Sequence, residues 1–160
     1  MTATDIPPDS PVRPVELAQI AEILDTEHLH YFDYTPETAS LKTIFNGLEI
    51  QISLTQNPLY LVLRTTWEHP ISSSEAPKLL AVTNEWNQTQ IMPTLSFYEK
   101  DSELYTVFIR TIFAEEGLSN HQLAFNLLSS IEAMAPPLAW LNTQFPTENL
   151  SNTAKASTNE

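Results

Sequence analysis

Between Leu41 and Thr55 the chain reads LKTIFNGLEIQISLT, a pattern with few structural solutions. Leu48, Ile50, Ile52 and Leu54 alternate with Glu49, Gln51 and Ser53, so one face of an extended segment is apolar and the other wet. Asn46-Gly47 sits immediately before it, and that pair supplies positive φ at both turn positions at low cost. The stretch therefore predicts a hairpin, Leu41–Phe45 against Leu48–Thr55. Asn57-Pro58 marks the next turn. Leu59–Trp67 follows as a third strand, with Leu59, Leu61 and Leu63 on one side and Tyr60, Val62 and Arg64 on the other. Apolar bulk on both sides predicts a central strand. The three strands form an antiparallel meander.

Helical and extended patterns frame the meander. Pro14 suits a first helical turn, and Leu17, Ile20, Ala21 and Leu24 form one apolar stripe, which predicts a helix over Pro14–Glu27. Ser72 and Glu75 have capping-box spacing, which predicts a second helix over Ser74–Thr89. Thr94–Glu99 and Glu103–Phe113 read as strands joined at Lys100-Asp101-Ser102. Apolar residues line both faces of Glu103–Phe113, so helices should cover one face and something else the other, such as a second subunit. Ser119 with Gln122 opens a last helix carrying Leu123, Leu127, Leu128, Ile131, Met134 and Leu138. Pro136-Pro137 should end or kink it. The order is α-β-β-β-α-β-β-α, which predicts an α+β two-layer sandwich of an antiparallel sheet with helices packed on it. Residues 1–13 read as a flexible arm, 14–142 as one domain, and 143–160 as a disordered tail.

Charge and composition exclude whole classes of function. Seven Lys and Arg stand against 20 Asp and Glu, a formal charge of -13. The basic residues are scattered, whereas nucleic-acid binding needs them clustered, so neither nucleic acid nor anionic membrane is an expected partner. There is no cysteine, which removes thiolate metal sites and thiol nucleophiles. No apolar run reaches the length of about 18 residues that a membrane span requires. The first residues lack the basic and apolar regions of a signal peptide, so a cytoplasmic protein is expected. With only Gly47 and Gly117 as glycines, no phosphate-cradling loop is present.

Individual residues offer little chemistry. His28 and His30 alternate but have no further ligand cluster near them. Glu115-Glu116 reads as a cap and helix-dipole partner, and Ser119 beside His121 reads as a cap. Arg64 and Arg110 lie in predicted strands, where a buried Arg is costly unless paired. No catalytic residue, cofactor or metal is expected, and the chain is not expected to be an enzyme.

One stretch remains, Leu79–Pro93, reading LLAVTNEWNQTQIMP. Leu79, Val82, Thr83 and Trp86 share a helix face, with Trp86 in the core or anchoring an interface. Asn84 and Asn87 flank it and should bond backbone groups at the helix end. Pro93 forces an extended segment to begin. The run Asn84-Glu85-Trp86-Asn87 with Pro93, followed by an extended Thr94–Glu99, resembles the hallmark segment of the YbjN family, whose members are described as candidate regulators of bacterial sensory transduction. The resemblance covers residues 15–142. It implies a fold similar to type III secretion chaperones, often a homodimer, with the second helix and adjoining strands at the dimer contact. On this chain that makes Leu79, Val82, Trp86, Leu95, Phe97 and Phe108 candidates for a dimer or partner interface. The family has no catalytic residues to carry over.

The expectation is thus a dimeric, chaperone-like regulator in sensory transduction or stress response that binds an unidentified protein. The alternative is a small-ligand sensor with a pocket lined by Tyr31, Phe32, Trp67 and Tyr98.

Overall fold

Residues 9–146 are described by the structure, a computed structural model. The expected arm residues 1–8 and tail residues 147–160 lie outside them. The chain divides into two compact units, one comprising residues up to Leu63 with Thr111–Ile131, the other Arg64–Arg110 with residues from Glu132 on.

The first unit begins with α1, Leu17–Thr26. It starts three residues after Pro14 because Arg13 is extended and bridges Leu118 antiparallel, with backbone bonds of 3.2 and 3.0 Å. Glu16 then closes a capping box with Gln19, whose side-chain oxygen accepts the Glu16 N–H at 2.8 Å. Leu17, Ile20, Ala21 and Leu24 are buried, the stripe their spacing predicts. β1, Tyr31–Thr35, is a strand the alternation does not reveal. It pairs with β2, Ser40–Phe45, through a register break at Asp33, whose φ is 50°. β2 and β3, Leu48–Leu54, form the predicted hairpin in unbroken register from Ser40↔Ser53 to Phe45↔Leu48. Asn46 and Gly47 turn at φ 50° and 77°. The strand order runs β1-β2-β3 and on to β4, Tyr60–Thr66, whose start belongs to this unit. The end of β7, Glu103–Phe113, lies beside it, and Ala114 N–H bonds the Leu59 carbonyl at 2.9 Å.

α3, Asn120–Glu132, completes the unit with Leu123, Leu127 and Ile131 buried. The Ser119–Gln122 capping box forms at 2.9 and 3.2 Å. Residues 9–13 are tied to this helix start. Asp9 accepts bonds from the Ser119 hydroxyl and the His121 N–H, Ser10 Oγ accepts the Asn120 N–H, and Arg13 donates to Asn120 Oδ1 at 3.0 Å. The Ser119 hydroxyl bond, chiefly, holds the Asp9 carboxyl below its usual range. Gly117 makes this joint possible, since a Cβ there would lie 2.5 Å from the Arg13 carbonyl oxygen.

In the second unit, the end of β4 and the short β5, Ile71–Ser72, flank one edge of β7, and β6, Thr94–Lys100, takes the other. β6 and β7 pair in continuous register from Thr94↔Ile109 to Lys100↔Glu103. A single 3-10 turn, Ser73–Glu75, precedes α2, Ala76–Thr89, so the helix begins two residues later than predicted. The helix from Asn120 does end ahead of Pro136 and Pro137, at Glu132, and is not kinked by them. They open a separate α4, Ala135–Gln144, where a missing N–H costs nothing. Phe145, expected in the tail, is buried, with its ring 6.4 Å from that of Trp67 and under Lys78 Nζ at 4.5 Å. The architecture is α+β with antiparallel strands and helices, as predicted.

Candidate interaction site

The junction from α2 to β6 is held by side chains of the stretch singled out in the sequence. α2 ends where Gln90 turns extended, its N–H still bonded to the Trp86 carbonyl. Trp86 Nε1 then donates to the Pro93 carbonyl at 2.9 Å. Asn87 makes a two-point bridge, its Nδ2 donating to the Leu95 carbonyl and its Oδ1 accepting the Leu95 N–H, both at 2.9 Å. A side-chain amide thereby presents one donor and one acceptor to β6, as a neighbouring strand would. Asn84 and Glu85 face solvent on α2, and Ile91, in the loop between helix and strand, is 97% exposed. Residue spacing does not reveal this clamp, because its bonds join residues seven and eight apart across the end of a helix.

The other candidates fall in different places. Leu79, Val82, Trp86, Leu95 and Phe108 are buried inside the single chain, and Phe97 is half-buried. The surface these five would offer a second molecule is already used in the protomer's own core. Exposed apolar surface lies elsewhere. In the first unit, Phe113 is 55% exposed with its ring edge-on to Tyr60 at 5.4 Å, and Ile44 is exposed to the same degree. Both lie on the strand faces opposite the buried Leu41, Thr43 and Ile112. In the second unit Tyr98, 43% exposed, stacks on Tyr105 across the β6–β7 pair at 5.4 Å. The Tyr105 hydroxyl donates to Glu103, and that bond raises its pKa. On β7, Tyr105 and Ile109 are half-exposed around the buried Val107, so the single chain leaves this face partly open.

Arg64 reaches solvent. Arg110 is half-buried, and its Nε, like Trp67 Nε1, Thr106 Oγ1 and Trp140 Nε1, is a buried polar atom without a hydrogen-bond partner. Glu115 accepts the Leu59 N–H rather than capping a helix. Lys42 bridges Asp33 and Glu49 at 3.3 and 2.9 Å, which raises its pKa, with Glu49 the larger cause. His30 stacks on Phe32, and no group of three metal-capable side chains occurs among the described residues. Of the four aromatics expected to line a pocket, Tyr31 and Phe32 fall in the first unit and Trp67 and Tyr98 in the second. A cavity of about 210 Å³ in the first unit is lined instead by residues including Arg13, Glu22, Ile23 and His121. That is smaller than the roughly 300–1,000 Å³ usual for ligand pockets. No helix among the described residues is long and apolar enough to cross a membrane.

These features define an α+β protein with a clamped helix–strand junction and a partly uncovered antiparallel sheet. The sequence model of the family described as "YbjN: Putative bacterial sensory transduction regulator" matches residues 16–141, and the chain belongs to that family. A crystal structure of YbjN, "a putative transcription regulator from E. coli", is similar at a TM-score of 0.63 and 16% identity, over 78% of this chain and 89% of that one. At that identity the likeness is one of fold. No curated protein matches the chain.

Proposed function

We propose that this YbjN-family chain is a non-enzymatic, cytoplasmic regulator that acts by binding other proteins, as a chaperone-like homodimer. The observation that carries this reading is the uncovered apolar surface on its strands, above all Phe113 and Ile44, each 55% exposed. A solvent-facing Phe and Ile on sheet faces have a role when another chain covers them. The charge of -13 favours a basic protein partner over direct contact with DNA, so regulation would pass through protein contacts.

Affinity capture with the chain as bait, followed by mass spectrometry, tests the reading. A specific partner lost on Phe113→Ser and Ile44→Ser is expected. Capture that is indifferent to both substitutions, or no specific partner across growth and stress conditions, would contradict it.

A further inference from the structure

β6 is an edge strand of the second unit, paired with β7 alone, and it is built differently from β1, which pairs only with β2 in the first unit. β1 is five residues long, broken in register at Asp33 and followed directly by Pro36, devices that discourage further pairing. β6 runs seven residues in unbroken register with no proline after Thr94. Backbone groups along such a strand point alternately to the partner and away. Leu95 points away, because both of its groups bond the Asn87 side chain. Phe97 and Glu99 share its parity, so their N–H and C=O groups form the open edge. Asn87 has filled the first outward position and left the next two.

We infer that this edge pairs with the same strand of a second copy of the chain, antiparallel about a two-fold axis at Tyr98, in a register that Asn87 sets. The inference rests on the homodimer reading above and names its surface. Only this register uses both free positions. Phe97 lies opposite Glu99 of the partner copy and Glu99 opposite its Phe97, giving four backbone hydrogen bonds. An axis at Phe97 would need Leu95, which Asn87 occupies. An axis at Glu99 would set two like charges directly opposite each other, which is destabilising. With the axis at Tyr98, Lys100 faces Ser96 of the other copy, and β6 ends there, one position short of the Asn87 bridge. The two Tyr98 rings then meet on one face and extend the Tyr98–Tyr105 stack.

The chain has no cysteine, so single cysteines report the register directly. Tyr98 would form a non-hydrogen-bonded pair with itself, with Cα atoms about 4.5 Å apart, within disulfide reach. Mild oxidation should convert most of the Tyr98→Cys protein to a covalent dimer on a non-reducing gel, and leave Ser96→Cys and Phe97→Cys monomeric. A mixture of Ser96→Cys and Lys100→Cys chains, which keeps Tyr98, should cross-link as well. Adding Asn87→Ala should let Phe97→Cys cross-link by freeing Leu95. Cross-linking at Phe97→Cys without that change overturns the register. Absence of both the Tyr98→Cys and the mixed product overturns the edge pairing. If the wild-type mass is then still doubled, the homodimer reading stands on another surface. If it is single, as when this edge serves a different protein's extended segment, the homodimer fails too.

Discussion

Gly117 and Gly47 both adopt positive φ, 82° and 77°, yet alanine should cost very different amounts at the two. At Gly47 an added Cβ meets nothing within 4 Å, so only the backbone penalty remains. That is about 1–2 kcal/mol for a left-handed residue. At Gly117 the Cβ would lie 2.5 Å from the Arg13 oxygen and 2.7 Å from its carbonyl carbon. Backbone cannot swing aside as a side chain can, so the Arg13–Leu118 bridge must open. Its two backbone hydrogen bonds are worth about 0.5–1.5 kcal/mol each. Gly117→Ala should therefore cost about 2–5 kcal/mol, against about 1–2 for Gly47→Ala. Urea titrations followed by circular dichroism would give both values, and thermal midpoints should fall by about 2–4 °C per kcal/mol. Hydrogen exchange should show the Arg13 and Leu118 amides released in Gly117→Ala alone. Equal losses at the two glycines, or an intact bridge in Gly117→Ala, would refute the steric argument.

Asn87→Ala should cost about 1 kcal/mol: two hydrogen bonds of about 0.5–1.5 kcal/mol each are lost, partly offset by water at the freed Leu95 groups and by alanine's better helix propensity, all read from urea midpoints. Thr106→Val should be neutral or stabilising by up to about 1 kcal/mol, because it removes a fully buried hydroxyl that has no partner, and a clear loss of thermal midpoint would show that the hydroxyl is satisfied. Asp9 has its pKa lowered by the Ser119 hydroxyl, so its contribution is complete above the unfolded value near 3.8 and is lost as pH falls through the lower folded value. Protection of the His121 amide, relative to its intrinsic exchange rate, should fall over that acid window in the wild type, and Asp9→Ala should remove it already at neutral pH.

How much of this was legible in the sequence depends on how local the cause was. The β2–β3 hairpin and the α1 stripe rest on alternation, helical spacing and one turn pair, all within a few residues, and both appear as read. β1 was not legible, because Asp33 at φ 50° interrupts the alternation that would announce a strand. The start of α1 shifted because Arg13 pairs with Leu118, more than a hundred residues away, and no spacing rule reaches that far. At the candidate site, the sequence marks Trp86 for the core and Asn84 and Asn87 for bonding to backbone near the helix end, and of the two asparagines only Asn87 is seen to do so. That the bonds of Trp86 and Asn87 go to Pro93 and Leu95, and so fix the first rungs of β6, was not legible. Leu79, Val82, Leu95 and Phe108 show the limit of periodicity. An apolar stripe reports that a face is buried, but intrachain and intermolecular burial leave the same pattern.

Both the proposed function and the β6 surface require a homodimer, and light scattering behind a sizing column tests that most directly. At tens of micromolar a homodimer gives twice the 18.1 kDa of one chain, falling toward the single mass on dilution. A mass of 18.1 kDa across that whole range would contradict it.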